Sequence, residues 1–176
     1  GVRAPSLRHV KNEPLPNFNL EGLSIAQASE CAIQRKLDPM HQDVIGIISD
    51  THGEFDPRIP HVFNAVRHIL HAGDIGDVRV LHRLQQIAPV TAVSGNVDEG
   101  NVPPGVEEEK TVQLCGMGIF MIHILGSPQR LSRALQERID EVKPDVVVFG
   151  HSHKPLIEKH GSVLYFNPGS AGPKRF

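Results

Sequence analysis

Eleven histidines stand in this chain of 176 residues beside one tyrosine and no tryptophan. Imidazole is the commonest metal ligand and the side chain that carries protons near neutral pH. Placement says more than number. Ligand-type residues fall in five clusters, Asp50-Thr51-His52-Gly53, Gly73-Asp74, Gly95-Asn96-Val97-Asp98, His123, and Gly150-His151-Ser152-His153, and each begins where an apolar run stops. The donors are oxygen and nitrogen only, without thiolate, which suits manganese, iron, cobalt, nickel or zinc and does not choose among them. In Asp50-x-His52 and His151-x-His153 the spacing lets two side chains leave an extended or turning segment toward one point. Seven candidates, Asp50, His52, Asp74, Asn96, His123, His151 and His153, exceed one tetrahedral site. Two cations about 3.5–4 Å apart, bridged by a carboxylate and a water, would use that number and would suit phosphoester hydrolysis. Taken singly, an Asp-x-His or a Gly-Asp is common chance sequence and Asp74, Asn96 or Asp98 could serve a turn. The conjunction of five clusters, each at a strand end, is what points to a metal centre.

The elements that must position these groups are legible from periodicity. Val44-Ile45-Gly46-Ile47-Ile48 reads as a buried strand. Val62, Phe63, Val66, Ile69 and Leu70 recur at helical spacing, and residues 68–71 then lead into Ala72-Gly73-Asp74, where a strand ends. Val78, Leu81, Leu84 and Ile87 mark a second helix with Asp77 as its N-cap, closed by Pro89 before a strand over residues 90–94. This βαβαβ order implies a parallel sheet. Segments 111–114 and 119–122 flank Gly116-Met117-Gly118 as a hairpin. Leu131, Ala134, Leu135, Ile139 and Val142 form the stripe of a third helix stopped by Pro144, a buried strand follows over 145–149, and segments 156–158 and 163–166 make a last hairpin around His160-Gly161. The fold class is α/β, two mixed sheets covered outside by helices. Ligands of open α/β sheets collect beyond the carboxyl ends of the strands, where all five clusters fall.

Residues 1–40 differ: Pro5, Pro14, Pro16, Asn12, Asn17 and Asn19 break any period, and the segment is expected to be a flexible or cloning-derived extension ahead of a domain spanning 41–176. Eighteen basic against twenty acidic residues give no field for strong nucleic-acid binding. No apolar run approaches the roughly 18 residues a membrane span requires. Cys31 and Cys115 stand in no CxxC context, which fits a reducing cytoplasm. His9, His41, His61, His68, His71, His82 and His160 are assigned no function, and Phe63, Phe120, Phe149 and Phe166 are read as core.

Asp50-Thr51-His52, Gly73-Asp74, Gly95-Asn96-x-Asp98, His123, Gly150-His151-Ser152-His153 and Asn167-Pro168-Gly169-Ser170 occur in an order that resembles the calcineurin-like metallophosphoesterases. More narrowly, they resemble the small single-domain phosphodiesterase branch of bacteria and archaea, to which the eukaryotic retromer scaffold subunit is related. The likeness runs from about Val44 to Pro173. It implies a four-layer α/β/β/α sandwich, with one metal held by Asp50, His52 and His153, the other by Asn96, His123 and His151, and Asp74 bridging both. Two departures bear on mechanism. Family members carry Gly and a second His after the ligand histidine, whereas Ile124 and Leu125 follow His123; and Val97-Asp98 follows Asn96, where the larger protein phosphatases place a His. The general acid is therefore unassigned.

The expected activity is hydrolysis of a phosphodiester or monoester by in-line attack of a hydroxide held between two divalent metals, manganese favoured, with Asp74, Asn96, Asp98 and His123 at the reacting centre. Asp98 either positions a ligand or the nucleophile, or is a turn carboxylate bonded to its own loop. The expected partner is a small phosphoester, nucleotide-derived esters included, and a homo-oligomer is compatible with the composition. The alternative is a metal-binding scaffold of the same fold with little or no catalysis. It is disfavoured because all seven positions keep coordinating side chains. A protein phosphatase is disfavoured by the lack of room for substrate loops.

Overall fold

The computed structural model describes residues 44–173, so the expectations for residues 1–40 and for the domain start lie outside the described part. The elements are β1 (Ile45–Ile48), α1 (Ile59–Val62), β2 (His68–His71), α2 (Val78–Gln85), β3 (Val90–Ala92), β4 (Glu109–Leu114), β5 (Met117–Ile122), α3 (Arg133–Val142), β6 (Val146–Val148), β7 (Leu156–His160) and β8 (Val163–Asn167). A three-residue 3-10 turn covers Asn96–Asp98.

Two sheets result. One has the order β1-β2-β3 and the other β4-β5-β6-β8-β7. The three-stranded sheet is parallel throughout, and the five-stranded sheet is mixed, with hairpins β4–β5 and β7–β8 flanking the parallel pairings of β5 with β6 and β6 with β8. Period-two alternation sorts the side chains into layers. Leu70, Ala72, Val93, Ile119, Met121 and Val148 meet between the sheets. Ile48, Ile69, Val80, Leu81 and Leu84 pack the outer face of the first sheet against α2, and Phe120, Val147 and Ile139 pack the outer face of the second against α3. This is the α/β/β/α sandwich. Among the described residues no helix is long and apolar enough to cross a membrane.

Local chemistry accounts for most boundaries. Asp77 caps α2 by accepting from Arg79 N, and Ser132 caps α3 by accepting from Leu135 N, each satisfying an amide that the first turn leaves without a partner. The β4–β5 turn is Cys115-Gly116, both with positive φ (54° and 76°), as a two-residue loop matched to strand twist requires.

The helix expected through Val62, Phe63, Val66, Ile69 and Leu70 is a correction. Only Ile59–Val62 is helical, and Ile69 and Leu70 belong to β2 with both side chains fully buried. A parallel strand covered on both faces is apolar at consecutive positions, and such a run next to Val66 mimics helical spacing.

Candidate metal centre

All five clusters lie just past the ends of strands, three from the first sheet and two from the second. Backbone pairing runs on beyond the strands: Asp50 N donates to Gly73 O (2.9 Å), His52 N to Asp74 O (2.9 Å), and Gly150 N to His123 O (3.0 Å). These bonds stitch the cluster-bearing loops together before any side chain is considered. At the ends of β1, β2 and β6 the chain then turns through the left-handed region at Asp50 (φ 56°), His52 (50°), Asp74 (53°), His151 (67°) and His153 (56°). Asp, Asn and His enter that region more readily than other non-glycine residues, and here it aims successive side chains at one point.

Gly95 and Gly150 are demanded by close approach. A Cβ on Gly95 would overlap Asp74 Oδ1 and its backbone nitrogen, and one on Gly150 would overlap Ser49 Oγ and lie 2.8 Å from Asp50 Oδ2. At these two positions the missing side chain leaves the gap into which a neighbouring carboxylate fits.

Asp50, His52, Asp74 and His153 each offer one ligand atom, all within 4.8 Å of one another. His52 Nε2 lies 3.2 Å from His153 Nε2, His153 Nε2 lies 3.2 Å from Asp50 Oδ1, and His52 Nε2 lies 3.9 Å from Asp74 Oδ2. Donors at about 2.1 Å from a shared cation would stand about 3 to 4.2 Å apart, so these three spacings fit one. A second set adjoins it: His123 Nε2 is 3.3 Å from Asp74 Oδ1, the His123 and His151 rings meet edge to face with centroids 5.3 Å apart, and His151 Nδ1 lies 3.0 Å from Asn96 Oδ1.

The fit to a cation rests on two atoms. Asp50 Oδ1 and His123 Nε2 are buried without a hydrogen-bond partner among the described residues, a costly state for a carboxylate oxygen and an imidazole nitrogen unless a cation takes their lone pairs. His123 Nδ1 lies 2.7 Å from Ala72 O. A carbonyl can only accept, so the proton sits on Nδ1 and the Nε2 lone pair faces the centre. The set grades from dry to wet, since the side chains of Asp50 (0% exposed), Asp74 (4%) and His123 (3%) are enclosed, while Asn96 and His151 are exposed.

Asp98 is not brought to this set. It is buried, and its carboxylate accepts from Gly95 N (2.8 Å), Ile75 N (3.1 Å) and Gly76 N (2.8 Å). Its oxygens hold the Gly73-Asp74 loop and the Gly95-Asn96 loop against each other.

Residues 44–176 match the description of the calcineurin-like phosphoesterase superfamily domain. The chain belongs to that superfamily. It is 33% identical over 135 residues to a probable metallophosphoesterase of Methanocaldococcus jannaschii, covering 72% of this chain and 67% of the relative. It is also 28% identical over 145 residues to a phosphodiesterase of the same organism, covering 71% and 82%. Among solved structures, vacuolar protein sorting 29 from Cryptosporidium parvum shares the fold, with TM-score 0.63 at 21% identity over 74% of this chain and 75% of that one. Membership places the chain among hydrolases of phosphate ester bonds.

Three further residues brace the candidate centre without having been assigned a role from sequence. His71 is fully buried, with Nε2 3.0 Å from Thr51 Oγ1 and Nδ1 accepting from Gly73 N (3.3 Å). Thr51 Oγ1 donates to Ile75 O (3.0 Å), so it accepts from His71 and the ring is neutral with its proton on Nε2. Burial, the largest influence, lowers its pKa to about 4. Asn167 donates from Nδ2 to Gly150 O (2.7 Å) and Ser152 Oγ (3.2 Å), and accepts from Gly169 N (2.8 Å). Ser170 Oγ donates to Asp50 O (3.0 Å). Asn167 and Ser170 stand in the Asn-Pro-Gly-Ser motif, which was the signal available; His71 left none, being one histidine among eleven.

Proposed function

We propose that the chain hydrolyses a small phosphodiester by in-line displacement at phosphorus, with one divalent cation on Asp50, His52 and His153, a second on Asn96, His123 and His151, and Asp74 between them. Manganese is the first metal to test, and nucleotide-derived diesters are among the substrates to assay. The observation that carries this reading is Asp74, whose Oδ2 faces His52 and whose Oδ1 faces His123.

Bound cations would acidify a water and neutralise charge growing on the phosphoryl oxygens. The protein's part is positioning. Val97 N donates to Asp74 Oδ1 (2.9 Å), and His151 N donates to Asp50 Oδ2 (3.2 Å), so both carboxylates are oriented before a cation arrives. Asp98 acts as a positioning residue through three amides. Asn96 and His151, on the exposed side, meet the incoming ester. No second imidazole follows His123, because Leu125 is buried in the core with Phe120 and Ile139; ester arms that leave without a proton are therefore the faster substrates.

The test is metal analysis joined to hydrolysis of bis(p-nitrophenyl) phosphate with added manganese, nickel or zinc. Asp74→Asn and His151→Ala are each expected to lose activity on the order of a hundredfold or more. Two equivalents of bound metal with no mono- or diester hydrolysed would instead favour a scaffold, the reading that the likeness to vacuolar protein sorting 29 supports.

A further inference from the structure

A cavity of about 350 Å³ opens beside Asn96 and His123. His123, whose buried Nε2 has no hydrogen-bond partner among the described residues, forms part of its wall, so the space is continuous with the Asn96, His123 and His151 half of the candidate centre. The rest of the wall combines Val102 and Ile124, both half-exposed apolar side chains, with Glu99 and Glu108. Glu109 also lines it, but that carboxylate is matched by Arg138 Nε at 2.7 Å. Among the described residues Glu99 and Glu108 carry no ion pair, and none of those that line the cavity is a Lys or an Arg.

Resting on the phosphodiesterase reading, we propose that this cavity takes one ester arm of the substrate and selects an alkylammonium group, a short apolar chain ending in a positive charge. The apolar wall receives the methylene or methyl surface, the two unmatched carboxylates receive the charge, and the phosphoryl group stays over Asn96 and His123. A polyanionic arm, such as a nucleoside polyphosphate, meets carboxylates with no cation to offset them. Opposite charges about 4 Å apart attract by several kcal/mol at the effective dielectric of a protein surface, less after screening by salt, which leaves about a tenfold preference at moderate ionic strength.

The manganese-loaded full chain tests this in two ways. In titration calorimetry phosphorylcholine should bind about tenfold tighter than ethyl phosphate, and the difference should shrink as salt rises. In turnover, the ratio of kcat/KM for p-nitrophenyl phosphorylcholine over bis(p-nitrophenyl) phosphate should fall about tenfold in the Glu99→Gln/Glu108→Gln double variant. That ratio should not change in Glu137→Gln, on the exposed face of α3. Equal binding of the two phosphates, an unchanged ratio in the double variant, or a preference for thymidine 5′-p-nitrophenyl phosphate would overturn the pocket assignment while hydrolysis of the diester stood. Failure to hydrolyse any ester removes the phosphodiesterase reading and this assignment with it.

Discussion

Five of the seven candidate ligands hold backbone angles that cost a non-glycine residue on the order of 1 kcal/mol or more each, and they do so within one cluster. Such conformations persist only where surrounding bonds enforce them, and here the paired amides past β1 and β2 do so. His71 sits under that arrangement. Its pKa of about 4 in the folded chain lies below the ordinary 6.5, so between these values the unfolded chain binds more protons. Its contribution to stability is complete above about pH 6.5 and is lost as pH falls toward about 4. From pH 7 to about pH 5 the wild type is expected to lose about 2 kcal/mol more than His71→Gln. Urea unfolding at both pH values, with chelator present, measures the difference; parallel losses in the two proteins would show that His71 is not protonated on unfolding.

At the scale of elements, residues 167–172 act as a strap from the end of β8. Asn167 holds the loop of His151 and His153, and Ser170 Oγ and Gly172 N both donate to Asp50 O at 3.0 Å. Asn167→Ala would leave Gly150 O and Gly169 N buried without partners. The expected cost is about 2 kcal/mol of stability, with metal affinity lower by about tenfold or more. Thermal unfolding and metal titration separate the two effects, and a loss of stability with unchanged affinity would confine the strap to holding the fold. Strands, hairpins, α2 and α3 were readable because their signals are local: alternation, two-residue turns, an Asp or Ser cap. The segment of α1 and β2 was not, since Ile69 and Leu70 are buried on opposite faces of one strand and their neighbours complete a false helical period. The seven ligand candidates were legible as residue types at strand ends. The occupation of Asp98 was not, because two of its three amide partners lie 22 and 23 positions away, a distance that only the folded chain closes.

For the molecule as a whole, the centre lies where the ends of strands from both sheets meet, and two buried carboxylates, Asp50 and Asp74, face it. A cation bound there would tie one sheet to the other and offset that charge. Binding to the folded chain alone adds about 3 kcal/mol at a hundredfold excess over Kd, so removing metal with a chelator is expected to lower Tm by on the order of 10 °C. In Asp74→Asn the chelator should have little effect. Calorimetric scans of both proteins, with and without chelator, check this, and a wild-type Tm indifferent to chelator would argue against a resident cation.

The strap also sets an order of events during synthesis. Ser170 and the Asp50 carbonyl that it clasps are 120 positions apart, so the amino-terminal sheet leaves the ribosome long before its fastening is translated. A nascent chain halted short of residue 167 carries Asp50, His52 and Asp74 without the support that fixes their loop. A cation bound at this centre would therefore be held firmly only after both sheets have closed on each other and residues 167–172 have fastened the Asp50 loop.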